Sequence, residues 1–135
     1  MNNQPQQIDI QKIVKHWVDS ATSDSLTMEH LYESKDYHWS LFIGHLVIEK
    51  LLKALVVQRN AKHPLPIHDL LRLAKLCELQ LSEEQTDLLD TISTFNINAR
   101  YDDYKLNFYR KCTKEYTDKW IQNIKVMQRW IQDQL

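Results

Sequence analysis

His45, Glu49 and Lys53, spaced four residues apart, are the first place in this sequence where chemistry is possible. On an α-helix such positions fall within roughly 80° of one another. Glu followed by Lys at i,i+4 also makes a favourable helical ion pair. Lys50 stands beside them. Two readings of this stripe are open. As a ligand surface, the lysines hold a phosphate and Glu49 orients a base or a sugar hydroxyl. As architecture, the long side chains bridge helices or reach out to the bundle edge. Arg100-Tyr101 forms a second candidate, because a guanidinium grips phosphate in bidentate fashion and a neighbouring ring stacks a base. Its architectural alternative is an ion pair from Arg100 to Asp24 or Glu49 that locks two helices together. His68, beside Asp69, reads as a structural hydrogen-bonding group or as a general base. His38 and His45 lie seven apart with no third ligand at zinc spacing, so neither a metal site nor a cofactor is expected.

These residues need helices to position them, and the composition supplies helices. The 135 residues include one glycine and three prolines, little material for hairpins or flexible linkers. Leu, Ile, Lys, Gln and Glu dominate, which suits an all-α fold. The chain fits one domain: a disordered tail over 1–7, then a helical domain over 8–135. A first long helix is expected from an Asp9 N-cap toward Glu33, with Ile10, Val14, Trp17, Ala21, Met28 and Leu31 as its seam and Asp24 filling the gap. A second, about Tyr37 to Arg59, is apolar almost all round and belongs at the bundle centre. His63-Pro64-Leu65-Pro66 ends it. A short third helix spans about Asp69 to Cys77. Ser82-Glu83-Glu84-Gln85 is a capping box for a fourth, and Asn96 to Asp103 reads as irregular. The last helix runs from near Asn107 to Gln134, with Tyr109, Cys112, Tyr116, Trp120, Ile124, Met127 and Ile131 as its stripe. The result is a single up-and-down bundle of about five helices, three long and two short.

A formal net charge of −1 excludes a global electrostatic pull toward nucleic acid, so phosphate contacts must come from a local patch. Lys105, Arg110, Lys111, Lys114 and Lys119 are diluted by Asp102, Asp103, Glu115 and Asp118 into a solvated face. Cys77 and Cys112 lack a partner motif and read as buried free thiols. Met1 to Gln7 lacks the features of a signal peptide. No run approaches the roughly 18 apolar residues of a membrane span, so a cytoplasmic location is expected.

Trp17-x-x-x-Ala21-x-x-Asp24, Tyr37-His38-Trp39-Ser40-Leu41-Phe42, the block from His45 to Leu55, Pro66-Ile67-His68-Asp69-Leu70 and Ala99-Arg100-Tyr101-Asp102 together resemble the HEPN family in order and spacing. The likeness covers about Lys15 to Ile131. It implies a helical bundle that often forms a homodimer, with a cleft between the second helix and the segment before the last. It also implies a nucleotide or RNA ligand, with a nucleotidyltransferase-fold partner in a toxin–antitoxin or defence pair. The ribonuclease branch carries R-x(4–6)-H. Here the permitted positions after Arg100 hold Lys105, Leu106 and Asn107. A binding module is therefore expected. The alternatives are a metal-independent ribonuclease using Arg100 with Lys105, His45 or His68 in place of that histidine, and a structural dimerisation or antitoxin domain.

Overall fold

A computed structural model describes residues 9–135; the tail expected over 1–7 lies outside them. The described residues form six helices and no strand: α1 (Ile10–Glu33), α2 (Tyr37–Asn60), α3 (Leu70–Leu76), α4 (Glu83–Arg100), α5 (Asp102–Lys111) and α6 (Lys114–Gln134). Side-chain caps start four of them. Asp9, Asp69, Ser82 and Thr113 each accept a backbone N–H of the turn that follows, and Ser82 and Gln85 close the reciprocal capping box.

The three residues between α1 and α2 force those helices to lie side by side. Ser40 Oγ donates to Met28 O at 2.7 Å, tying the start of α2 to α1. α2 packs against all five other helices. Its Leu41, Val47, Ile48, Leu51, Leu52 and Leu55 have no solvent exposure. Each such side chain contributes about 1.5–3 kcal/mol relative to an exposed one. The central position expected from its apolar run is what the structure has.

Two boundaries differ from the expected ones. α4 continues through Asn96 to Arg100, because Phe95, Asn96 and Ala99 share a buried face that packing holds helical despite its polar sequence. Tyr101 alone, extended at φ −91° and ψ 131°, separates α4 from α5. Asp102 and Asp103 then favour a new N-terminus. The expected continuous last helix breaks at Cys112, where Thr113 caps α6 by accepting from Tyr116 N at 3.2 Å. Tyr109 thereby leaves the core stripe and stands 60% exposed, whereas Trp120, Ile124, Met127 and Ile131 remain buried. Both cysteines are free and buried; burial pushes Cys77 up to about 11 and Cys112 up to about 12, so both stay thiols.

Lys35, Ala61 and Glu78 adopt positive φ at helix ends, a conformation glycine usually supplies. The chain's one glycine sits inside α2 instead. A Cβ at Gly44 would come within 2.5 Å of Ile124 Cδ1 and 3.0 Å of Met28 Sδ, both buried. Gly44 therefore sets how closely α2 approaches α6 and α1 within the bundle. Gly44→Val should lower unfolding free energy by about 1–3 kcal/mol, the usual cost of overpacking. Urea denaturation measures it, and a variant as stable as the parent would refute the close-contact role.

Candidate functional site: a buried charge network beneath an exposed arginine

The polar stripe of α2 lies in the interior. His45 is fully buried, and Glu49 and Lys53 are 4% and 6% exposed. A buried carboxylate needs compensation, and Glu49 receives it from two sides. Lys53 Nζ lies 3.3 Å from Glu49 Oε2, on the next turn of the same helix. His68 Nδ1 lies 2.8 Å from Glu49 Oε1. The Lys53 ammonium also stands 5.4 Å from the centroid of Trp17 on α1, a cation–π contact that covers it without a second charge.

His68 comes from the connection before α3, and two contacts hold that connection in place. Leu70 N donates to Ser93 Oγ on α4 at 2.9 Å, and His45 Nε2 donates to His68 O at 3.1 Å. A carbonyl only accepts, so the proton of His45 sits on Nε2 and Nδ1 carries the lone pair, which has no partner. Burial holds His45 below its ordinary value, reinforced by the charges of His68 and Arg100 and opposed by the His68 carbonyl and by Glu49. The His68 side chain is 57% exposed. With Nδ1–H donating to Glu49, its neutral form presents Nε2 as a free acceptor.

Lys50, one position on from Glu49, faces the other way. Its Nζ lies 2.6 Å from Asp24 Oδ2 and donates to Ser20 Oγ at 2.8 Å, so it joins α2 to α1. Asp24, in the gap of the α1 seam, thus meets a half-buried cation. Arg100 pairs with neither Asp24 nor Glu49, and among the described residues no carboxylate lies within 4.0 Å of it. Its Nε donates to Asn96 O at 3.1 Å. Its guanidinium carbon stands 5.8 Å from the Phe42 ring centroid and 5.7 Å from that of Tyr101. Arg100 is exposed, and Tyr101 is 55% exposed.

The sequence-selected residues therefore fall into three groups. His45, Glu49 and Lys53 form a buried floor that fixes His68. Lys50 and Asp24 brace α1 against α2. Arg100 and Tyr101 face solvent at the α4–α5 joint. Asn96, whose carbonyl holds Arg100, lines a hollow of about 260 Å³ together with His68, Asp69, Asp90 and Ser93. Ser93 and Asn96 were not among the sequence candidates, and no spacing in the sequence places them beside His68. No group of three or more His, Cys, Asp or Glu among the described residues is placed to hold a metal ion. No described helix is long and apolar enough to cross a membrane.

An all-helical bundle with this arrangement invites comparison with known families. The family model for the HEPN domain matches residues 14–134, and the chain belongs to that family. Membership makes it, at the level of the family, a nucleotide- or RNA-associated helical module. No curated protein and no solved structure matches the chain.

Glu49→Gln leaves the Lys53 ammonium buried without its counter-ion and should cost about 3–5 kcal/mol of stability; a loss below about 1 kcal/mol in urea would contradict the compensated floor. Burial also lowers His38, helped by Lys105 and opposed by Asp36. Both histidines take up protons more readily when unfolded, so their contribution is fully present above about pH 6.5 and is lost as pH falls below it. The urea midpoint should drop between pH 7.5 and 5.5, and a flat profile would count against two buried neutral imidazoles.

Proposed function

We propose that this HEPN domain is a binding module for a nucleotide or an RNA segment, acting at the edge where α2, α4 and the entry to α3 meet. The observation that carries the reading is Arg100: an exposed guanidinium with no carboxylate partner, held by Asn96 O and backed by the Phe42 and Tyr101 rings. A guanidinium so placed is preorganised for a phosphate, and Tyr101 offers a ring face to a base. His68 presents Nε2 to a ribose hydroxyl from a position that Glu49 fixes. Glu49, Lys53 and His45 act through that fixation, and Lys50 through its hold on α1. A nucleotidyltransferase-fold partner in a toxin–antitoxin or defence pair, and a homodimeric state, complete the reading. Both rest on the family likeness.

A second reading has its own observation. A histidine oriented by a buried carboxylate, with its other nitrogen facing solvent, is the arrangement a general base requires. His68 then supplies the proton acceptor that the positions after Arg100 lack, and the domain is a metal-independent ribonuclease.

One experiment separates the two. The protein is incubated with total RNA in the presence of a metal chelator, beside Arg100→Ala and His68→Asn variants verified as folded by circular dichroism. Mononucleotide affinity is measured in parallel by calorimetry. The binding reading expects no cleavage by any of the three, and a loss of affinity in Arg100→Ala of about tenfold or more, the scale of a charged hydrogen bond. Cleavage abolished by both substitutions would replace it with the ribonuclease. Undiminished affinity in Arg100→Ala would remove Arg100 from the site.

A further inference from the structure

The start of α2, the α4–α5 joint and one face of α5 meet along a line of rings and cations that the site above uses only at one end. From Tyr101 the line passes to Arg100, then Phe42, at 5.7 and 5.8 Å from the guanidinium carbon. Phe42 and Trp39 stand edge to face at 5.8 Å. Trp39 meets His38 at 5.0 Å, and His38 meets Tyr109 edge to face at 5.2 Å. Lys105 Nζ lies 5.0 Å from the Trp39 centroid. Five aromatic side chains and two cations thus form one continuous ribbon.

Its composition does not suit a face meant only for water. Tyr101, Tyr104, Leu106 and Tyr109 are each more than half exposed, all at the α4–α5 joint or on α5. Neither Arg100 nor Lys105 has a carboxylate within 4.0 Å among the described residues, although Asp102 and Asp103 start the same helix. The ribbon also holds a hollow of about 310 Å³ lined by His38, Asp102, Lys105, Leu106 and Tyr109. His38 there is nine-tenths buried, and its Nδ1 has no hydrogen-bond partner.

We propose that this ribbon is a binding site for single-stranded RNA, running along α5 away from Arg100. Exposed Tyr101 and Tyr109 stack unpaired bases, and Arg100 and Lys105 hold the intervening phosphates. A duplex, with its bases already stacked on each other, has no free ring faces to offer. Unpaired cations set among rings complement a polyanion with aromatic bases. The inference rests on the nucleotide or RNA reading above and extends it from one phosphate to a stretch of strand.

The test is fluorescence anisotropy with an end-labelled oligouridylate of about 10 nucleotides, the span of a single-strand site, and with a duplex of equal length. Tyr109→Ala and Lys105→Ala both alter exposed or half-exposed positions. Lys75→Ala on α3 serves as the control, and circular dichroism checks folding. The ribbon expects about tenfold weaker binding in Tyr109→Ala, the scale of one lost base stack. Lys105→Ala should lower the salt slope by about 0.7, the value for one phosphate of a single strand. The duplex should bind more weakly than the oligouridylate, and quenching of tryptophan emission by the oligouridylate, through Trp39, gives a second readout.

Oligouridylate affinity equal to the parent's in both variants, with mononucleotide affinity intact, overturns the ribbon and leaves the Arg100 site standing. Absence of both mononucleotide and oligouridylate binding overturns the two together. A Tyr109→Ala variant that sediments as a smaller species than the parent while binding RNA as well as the parent makes the face a protein interface, which also overturns the proposal.

Discussion

Glu49 is a carboxylate in the middle of the most buried helix, and much of the remaining structure is arranged around keeping it there. An isolated charge in that position is far too costly to persist. Lys53 supplies the opposite charge from the next turn, but an ammonium has three donors and its own desolvation to offset. Trp17 covers it from α1. The second Glu49 oxygen takes His68, and this requires the connection before α3 to run past α2 at one particular height. The contacts from His45 to the His68 carbonyl and from Leu70 N to Ser93 fix that height. One buried charge thus ties α1, α2, the α3 entry and α4 into a single register.

The bundle geometry follows the same economy of small features. Gly44 lets α6 and α1 come close to α2 through Ile124 and Met28, near the α2 turn that carries His45. Arg59 Nη1, 2.5 Å from Cys77 O, and Asn60 Nδ2, 3.1 Å from Leu76 O, close the far end of α2 onto the end of α3. The α2–α3 connection is therefore held at both ends, which suits a segment that must present one imidazole accurately.

Local rules in the sequence reached the fold well where the signals were local. Asp9 and Ser82 each cap as expected, Asp69 caps the third helix it was expected to begin, and the all-round apolar run of α2 placed it centrally. The expectation failed between Asn96 and Thr113, where tertiary contacts rather than propensity set the boundaries. Polar residues such as Asn96 remain helical because Phe95 and Ala99 bury that face, and a lone threonine cap outweighs a stripe that would have carried on from Tyr109. The site was legible as a set of residues but not as an arrangement. Helical spacing puts Glu49 and Lys53 together, whereas no periodicity shows that His68, nineteen positions on, completes the carboxylate. Nor does spacing show that Lys50 turns to α1 while its neighbour turns inward. Asp24, in the gap of the α1 seam, is met by Lys50, a partner that the spacing did not name.

The α4–α5 joint decides what the Arg100 region can do. A single extended residue, Tyr101, ends one helix and starts the next, so positions 105 to 107 fall in the first two turns of α5. Those are the positions at which the ribonuclease branch of the family carries its histidine. Here Lys105 lies over Trp39, and Leu106 and Asn107 are exposed. An ammonium donates hydrogen bonds and accepts none, so in that form Lys105 is suited to hold an anion rather than to accept a proton. The proton acceptor nearest in chemistry is His68, which belongs to a different segment and is oriented by a different helix. On the proposed binding reading, substituting at the joint alters how strand and phosphate are held, and substituting in the floor alters how an imidazole is presented. Arg100 makes no ion pair with Glu49 among the described residues, although its charge reaches His45 in the floor.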